Sequence, residues 1–270
     1  MLEFSKMNGA GNDFVVIDNR DLSHSLQKEQ IATLCQRQQG VGADGFLTVE
    51  PAESGADYKM RYYNADGGEA EMCGNGARCF ARFVNRLEGG KLTSTRFETI
   101  AGVIEAEFIG DEVKIELSKP FDLALGLELE IADATAMVHS INTGVPHAVL
   151  FVEDLAAVNI REWGSAVRYH EQFAPAGTNV NFVEVREPGK IAIRTYERGV
   201  EDETLACGTG MVACAILHHE LSQTPPPIRV EVAGGDTLTV EFNRLAEGDY
   251  EKVTLLGPAD FTFDGTLSTL

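Results

Sequence analysis

Two short segments carry cysteine in a setting suited to acid–base chemistry. Residues 71–79 read EMCGNGARC and residues 205–214 read LACGTGMVAC, so Cys73 and Cys207 are each followed directly by Gly-x-Gly. Each follows a strand-like segment and opens a helical pattern, which places each thiol at a helix N-terminus. The backbone N–H groups there favour anions, so they lower the pKa of a thiol and can hold a substrate carboxylate.

A helix terminus alone does not ionise such a thiol at neutral pH. A free cysteine ionises near pH 8.5, and bringing its pKa to about 7 takes roughly 2 kcal/mol. A helix terminus typically supplies about 0.3–1 kcal/mol. A further base or hydrogen-bond donor is therefore expected nearby, and the candidates are His147 and Glu197, each in a strand-like segment of the second half.

Two such thiols in one chain predict inversion at a carbon atom. If the halves pack about a pseudo-two-fold axis, their equivalent helix openings face one cleft from opposite sides. One thiolate then removes the α-hydrogen of an amino acid, and the opposite thiol delivers a proton to the other face. The carboxylate becomes a developing enediolate held by two sets of N–H donors. This scheme requires no cofactor, and the two thiols should titrate as a coupled pair.

The composition excludes several classes of partner. The chain has 270 residues, of which 44% are apolar, and a formal net charge of −20. So acidic a protein is poorly suited to nucleic acid or an anionic membrane surface, because both need clustered Lys and Arg. The sequence shows neither an export signal nor 18 consecutive apolar residues, so we expect a cytoplasmic protein.

The five cysteines point to reactive thiols rather than to cross-links. An odd number without an export signal makes a disulfide framework improbable, and the spacings do not match those of zinc-binding pairs. Cys35, Cys79 and Cys214 are expected to be packing residues. Arg78, Arg82 and Arg86 recur every four residues and predict a partly solvated helix stripe.

Short apolar runs rich in Val, Ile and Phe predict a protein dominated by strands. These runs cover 13–18, 45–50, 58–63, 113–117, 147–154, 181–185, 191–196, 238–242 and 252–256. Helical patterns are fewer and cover roughly 26–38, 74–88, 159–171 and 208–220. A majority of strands with one buried helix in each half predicts an α+β fold.

The halves also match in the order of their segments. RYYNADGGEAEMCGNG at 61–76 parallels RTYERGVEDETLACGTG at 194–210, and the strand at 8–18 parallels the one at 142–154. Such a duplication places the boundary near residue 118, within LSKPF.

We therefore expect domain 1–118 to carry Cys73 and domain 119–270 to carry Cys207, with the last strand able to pack back on the first domain.

The stretch GVGADG at 40–45 spells G-x-G-x-x-G, but a helical pattern precedes it and a strand follows. A dinucleotide site needs the reverse order, so this stretch does not indicate one.

The sequence resembles the diaminopimelate epimerase family over essentially its full length. The matching segments are, in order, KMNGAGNDFVVID, GADG, YYNADGGEAEMCGNGARC, TNVNF and YERGVEDETLACGTG. The resemblance implies interconversion of LL- and meso-diaminopimelate without pyridoxal phosphate, for lysine and peptidoglycan precursor supply. It also implies two similar domains, each a mostly antiparallel sheet wrapped around a central helix, with the active site in the cleft between them.

The resemblance also assigns roles to individual residues. Cys73 and Cys207 correspond to the acid–base thiols, and His147 and Glu197 to auxiliary groups. The residues expected to bind substrate are Asn12, Asn64, Gly74, Asn75, Asn179, Glu197, Arg198, Gly208 and Thr209. The expected partner is a small amino acid, with no cofactor, metal, nucleic acid or membrane; a homodimer is compatible with the resemblance.

One departure from the family pattern leaves alternatives open. The family usually reads GNPH where this chain reads GVPH, so Val145 replaces an asparagine expected to contact substrate, and Asn142 is a candidate substitute. One alternative is a racemase of similar build for another amino acid, such as a proline racemase type. The other is a thiol redox switch or an inactive binding protein with this fold.

Overall fold

The computed structural model describes residues 1–131, 134–246 and 248–268. The chain divides into two compact units, the first made of Met1–Glu116 with Leu256–Leu270 and the second of Leu117–Leu255. The division falls close to the boundary expected at residue 118. The first unit includes the C-terminal segment Leu256–Leu270, and the sequence analysis allows the last strand to pack on the first domain.

The described residues form strands and a smaller number of helices. In chain order these are β1 Leu2–Gly9, β2 Asn12–Asp18, α1 Lys28–Cys35, β3 Gly45–Pro51, β4 Tyr58–Asn64, β5 Glu69–Ala70, α2 Gly74–Leu87, β6 Ser94–Thr99, β7 Gly102–Ile109, β8 Glu112–Glu116, β9 Phe121–Ile131, β10 Ala134–Asn142, β11 Pro146–Phe151, α3 Ile160–Arg168, a 3-10 turn Glu171–Phe173, β12 Asn179–Glu187, β13 Lys190–Glu197, β14 Asp202–Thr204, α4 Gly208–Ser222, β15 Ile228–Glu231, β16 Thr237–Arg244, β17 Tyr250–Pro258 and β18 Asp260–Leu267. The predicted α+β class is confirmed.

The first unit is a mixed sheet around one helix. Strands β18, β1 and β2 pair in that order as antiparallel neighbours, β3 joins β2 in parallel, and β4 pairs antiparallel with β3. Strand β6 joins β4 in parallel, and β7 and β8 follow as antiparallel neighbours. Helix α2 contacts β1, β2, β3, β4, β7 and β8, so it lies in the concave interior of this sheet.

The second unit repeats this connectivity. Strand β11 pairs antiparallel with β10 and parallel with β12, which pairs antiparallel with β13. Strand β15 joins β13 in parallel and β16 follows antiparallel. Helix α4 contacts β10, β11, β12, β13, β15 and β16, as α2 does in the first unit. The run Gly210–His218 of this helix is buried, which is why its sequence is apolar on nearly every side.

The strand register makes individual positions of the two units equivalent. Phe46 lies opposite Tyr63 in the first unit, and Val180 lies opposite Tyr196 in the second. One residue earlier, Gly45 pairs with Phe14 and Asn179 pairs with His147. The apolar ring of Phe14 and the imidazole of His147 therefore occupy matching places.

Among the described residues no helix is long and apolar enough to cross a membrane.

Candidate active site

Cys73 is the N-cap of helix α2, as the sequence predicts. The residue is half-buried, has an extended backbone, and accepts the N–H of Ala77 on its carbonyl at 2.8 Å. Gly74, half-buried, is the first helical residue. Strand β1 passes so close to this turn that a Cβ on Gly9 would lie 2.7 Å from the carbonyl oxygen of Asn75. The glycine is required here because β1 must approach the helix backbone.

The side chain of Asn75 is held in one orientation by two partners. Its Nδ2 donates to Oδ1 of Asn12 at 2.5 Å, and its Oδ1 accepts from Nη2 of Arg78 at 3.0 Å. The guanidinium of Arg78 is fully buried, and its Nε donates to the carbonyl of Pro258 at 3.2 Å. The structure thus brings Cys73, Asn75 and Asn12 together at the start of α2.

A group of charged side chains holds Asn12 in place through hydrogen bonds. Oδ2 of Asp44 accepts from Nδ2 of Asn12 and from the N–H of Asp13, both at 3.2 Å. Arg37 binds both carboxylates, and Lys6 lies 2.7 Å from Asp13. Burial raises the pKa of Asp13, but hydrogen bonds from Arg37 and Lys6 outweigh this and bring it down to about 2. Asp13 therefore acts as a fixed acceptor at neutral pH.

Asn64 lies apart from this group. It is exposed at the end of β4, where its Oδ1 accepts from the hydroxyl of Tyr62 at 2.9 Å. No hydrogen bond joins it to Asn12 or Asn75 within the described part of the chain. Its predicted contact with substrate therefore stays a prediction.

Cys207 is the N-cap of helix α4 and is likewise half-buried with an extended backbone. Its carbonyl accepts the N–H of Met211 at 2.9 Å, and its Sγ lies 3.5 Å from the hydroxyl oxygen of Thr209. Gly208, the first helical residue, is half-buried, like its counterpart in α2. Thr143 donates its hydroxyl to the carbonyl of Thr209 at 2.9 Å and so fixes this first turn from outside.

His147 lies under the same turn and is fully buried. Its Nε2 is 2.9 Å from Oγ1 of Thr209, and its Nδ1 is 3.0 Å from Nδ2 of Asn181. Burial, assisted by the charge of Arg198, lowers the pKa of His147 to about 3. The imidazole is therefore neutral at physiological pH, and it belongs to a group of hydrogen-bonded side chains that reaches Cys207 through Thr209.

Glu197, Arg198 and Asn179 meet at the end of β13. Nδ2 of Asn179 donates to the carbonyl of Pro146, and its Oδ1 accepts the N–H of Arg198 at 2.9 Å. Burial raises the pKa of Glu197, which accepts the hydroxyl of Thr204 at 2.8 Å. The guanidinium of Arg198 donates to the carbonyl of Ala176 at 3.2 Å. The structure thus gathers one carboxyl, one amide and one guanidinium beside His147.

The three remaining cysteines are core residues. Cys35, Cys79 and Cys214 are buried, which confirms their predicted packing role. Burial raises the pKa of Cys35 to about 11 and that of Cys79 to about 12, and raises the pKa of Cys214 well above its usual value. These thiols stay protonated at neutral pH and are poor acid–base groups.

Sequence reasoning missed two polar residues and misjudged a third. Asn181, fully buried, and Asp44, which orients Asn12, were not selected. The stripe predicted to be partly solvated is wrong for Arg78, which is 0% exposed, because α2 turns this face toward Asn75 and Pro258. Asn181 is the first residue of the predicted strand 181–185. A polar residue in an otherwise apolar strand was the signal that could have identified it as a hydrogen-bonding residue.

The described residues contain no group of side chains that could bind a metal ion. Within 1–131, 134–246 and 248–268, no group of three or more His, Cys, Asp or Glu side chains is arranged to hold a metal ion.

Comparison with solved structures shows the fold again in distant proteins. A phenazine biosynthesis protein from Bacillus anthracis superposes with a TM-score of 0.75 at 16% identity, covering 98% of both chains. A probable proline racemase from Agrobacterium radiobacter superposes with a TM-score of 0.71 at 15% identity, covering 99% of this chain and 93% of the other. At such low identity the likeness establishes the architecture only.

Comparison of sequences is more specific. The sequence model of the diaminopimelate epimerase family matches residues 4–120 and 139–259. The diaminopimelate epimerase of Chlorobaculum tepidum is 42% identical over 267 residues, covering 97% of this chain and 100% of the relative. That of Aquifex aeolicus is 44% identical over 284 residues, covering 99% and 98%. This chain, with a cysteine at the N-cap of each of its two central helices, belongs to the diaminopimelate epimerase family.

Proposed function

We propose that this isomerase converts LL-2,6-diaminopimelate into meso-diaminopimelate without pyridoxal phosphate, with Cys73 and Cys207 as the two acid–base groups. The observation that carries the proposal is that each cysteine caps a central helix whose first turn is Gly-x-Gly. Membership of the family supports the substrate, because the relatives compared above bear that name over nearly their full length.

The two helix openings suit the chemistry at the α-carbon. A thiolate at one N-cap takes the α-proton, and a thiol at the other N-cap supplies a proton to the opposite face. The substrate carboxylate gains charge as the proton leaves, and the N–H groups of Gly74, Asn75, Gly208 and Thr209, in the first turns of the two helices, stabilise that charge. Fixed donors are effective because they need not reorient during the reaction.

The remaining predicted residues are proposed to recognise the far end of the substrate. Arg198 offers a planar fork that matches a carboxylate, and Glu197 offers an acceptor for an ammonium group. Burial holds the pKa of Glu197 above its usual value, and a substrate ammonium placed beside it would bring that pKa down. Asn12, Asn64 and Asn179 are proposed to complete the polar contacts.

Val145 is proposed to reshape this far end of the site. Its carbonyl accepts the N–H of Thr143 at 3.2 Å, and Oδ1 of Asn142 accepts the N–H of Gly144 at 3.0 Å, so both residues close the turn before β11. The oxygen of Asn142 is therefore engaged, and only its amide nitrogen is proposed to replace the usual asparagine contact.

The enzyme is proposed to act in lysine and peptidoglycan precursor synthesis in the cytoplasm.

The proposal is tested by supplying two amino acids of different shape to the purified protein. LL-diaminopimelate should be converted until LL and meso isomers reach equilibrium, as followed by chiral chromatography, while L-proline should remain unchanged. Racemisation of proline without turnover of diaminopimelate would instead assign a racemase with another substrate. A folded protein that converts neither would support the inactive binding protein.

A further inference from the structure

Five side chains form a continuous hydrogen-bonded chain that ends at Cys207. Sγ of Cys207 lies 3.5 Å from Oγ1 of Thr209, which is 2.9 Å from Nε2 of His147. Nδ1 of His147 is 3.0 Å from Nδ2 of Asn181, whose Oδ1 accepts the hydroxyl of Thr195 at 2.9 Å. His147 and Asn181 are 0% exposed and Thr195 is 2% exposed, so water has little access to the far end of this chain.

The orientation of the Asn181 amide follows from its other neighbour. The backbone carbonyl of Ala148 lies 3.3 Å from Nδ2 of Asn181 and can only accept a hydrogen bond. The group that faces it must therefore be the NH2, and the amide oxygen must face Thr195. Because the same NH2 also faces Nδ1 of His147, that ring nitrogen is an acceptor.

The orientation of Asn181 fixes the tautomer of His147. A neutral imidazole carries one proton, and burial keeps the ring neutral by lowering its pKa to about 3. Since Nδ1 accepts, the proton is on Nε2, which donates to Oγ1 of Thr209. The hydroxyl proton of Thr209 is then directed away from the imidazole, and Sγ of Cys207 is the acceptor within reach.

The first unit is built differently at the matching place. The residue equivalent to His147 is Phe14, whose ring lies 3.3 Å from the Cβ position of Gly76 and has no polar atom. Asn75 stands where α4 has Thr209, and its NH2 donates to Asn12. The imidazole relay is therefore particular to the second thiol.

We propose that Asn181 and His147 are positioning residues that hold the hydroxyl of Thr209 as a hydrogen-bond donor to Cys207 and thereby favour its thiolate. The inference deepens the proposed function, since it concerns one of the two proposed acid–base groups. A donor to a charged acceptor is stronger than one to a neutral acceptor, so the relay stabilises the thiolate more than the thiol.

Other ionisable groups also face this relay. Arg198 interacts electrostatically with His147 and opposes its protonation, and Cys214 of α4 lies within electrostatic reach of Cys207. Glu197 lies on β13 and hydrogen-bonds to Thr204 on β14, the strand that leads into Cys207. Burial raises the pKa of Cys214 well above its usual value, so this thiol is uncharged near the relay at neutral pH. Burial also raises the pKa of Glu197.

The test measures the ionisation of Cys207 without substrate. The full-length protein is alkylated briefly with iodoacetamide from pH 5 to 10, and mass spectrometry of the peptides gives separate rates for Cys207 and Cys73. Thr209→Val should raise the midpoint for Cys207 by about one pH unit, so alkylation below the midpoint slows about tenfold, the change expected for a loss of 1.36 kcal/mol. Cys73 is measured in the same samples, and its midpoint should not rise, because a less acidic Cys207 cannot make the other thiol of a coupled pair less acidic.

Three further variants distinguish loss of the hydrogen-bond relay from a general loss of packing around the first turn of α4. Thr209→Ser keeps a hydroxyl and should restore the wild-type midpoint of Cys207. Thr143→Val removes a hydroxyl that bonds the backbone of Thr209 and should leave the midpoint in place. Asn181→Asp should reproduce the effect of Thr209→Val, because a carboxylate can only accept a hydrogen bond and therefore favours the Nδ1–H tautomer, in which Nε2 accepts the hydroxyl of Thr209.

Nitrogen NMR of the imidazole provides a second readout that does not depend on folding changes in a variant. In the wild-type protein His147 should show a protonated Nε2 and an unprotonated Nδ1, unchanged between pH 8 and pH 5. An Nδ1–H tautomer, an unaltered midpoint in Thr209→Val, or equal shifts in Thr143→Val and Thr209→Val would each overturn the inference. Since no measurement uses turnover, a lack of epimerase activity would count against the proposed function and not against the relay.

Discussion

Replacing Cys73 or Cys207 with alanine is expected to abolish epimerisation, lowering kcat by at least about 10³-fold in either variant, within the range typical of a lost acid–base group. Each thiol has a separate task in the proposed reaction, so neither can compensate for the other. Both residues are half-buried at an N-cap, and the backbone carbonyl makes the first helical hydrogen bond. Alanine preserves that bond, so the fold should persist.

The matched control is Cys35→Ala. This thiol is buried against the sheet of the first unit, and burial raises its pKa to about 11, so it takes no part in proton transfer. The variant should keep wild-type turnover with a modest loss of thermal stability. Initial rates with LL-diaminopimelate, together with circular dichroism of each variant, decide the matter. Substantial turnover by either Cys73→Ala or Cys207→Ala would eliminate the two-thiol scheme.

Gly210→Ala is expected to have the second largest effect, because no space exists for a methyl group at this position. An added Cβ would lie 2.5 Å from Oδ1 of Asn181 and 3.3 Å from Cε1 of His147. Asn181 cannot yield cheaply, since it is fully buried and bonded to Thr195, His147 and Ala148. Overpacking of this kind typically costs about 1–3 kcal/mol, and the first turn of α4 must shift.

The shift moves Thr209 relative to His147, so kcat should fall at least about tenfold along with stability. Gly76→Ala is the matched variant in the other half, where the added Cβ would lie 3.3 Å from the ring of Phe14 and 3.6 Å from Cβ of Cys73. A ring can adjust by a few tenths of an ångström, so this variant should lose less stability. Urea unfolding of both proteins measures the difference; equal losses would contradict the proposed rigidity of Asn181.

The features that could be predicted from sequence are those with a strong local signal. Helices α2 and α4 were expected at 74–88 and 208–220 and occur at Gly74–Leu87 and Gly208–Ser222. Their Cys-Gly-x-Gly starts combine a turn signal with a change of hydrophobic period, which is why both N-caps are correct. The equivalence of the halves is likewise visible in both the sequence and the strand pairing.

Several strands were missed because they are partly exposed. Strands β7 and β9, Gly102–Ile109 and Phe121–Ile131, alternate buried and exposed residues or expose most of their length, so they lack the continuous apolar runs that mark buried strands. Strand β18 pairs with β1 at the opposite end of the chain. The sequence analysis allows the last strand to pack on the first domain, but its partner strand and register are long-range features that local patterns do not encode.

The polar support of the candidate site was also beyond sequence reasoning. Asn181 and Arg78 matter through which neighbours they meet, and those neighbours come from other strands or from the C-terminal segment. A buried amide inside an apolar strand could have been flagged, but its partner could not have been named. Sequence thus identifies the reacting groups better than the residues that orient them.

The most direct test of the central claim is turnover of LL-diaminopimelate in deuterated water, stopped early and analysed by mass spectrometry of the separated isomers. If one thiol removes the proton and the other delivers its replacement, the first meso product carries one solvent deuterium and the recovered LL isomer carries none. Equal deuterium in both isomers from the earliest time would show a single exchanging base and contradict the account.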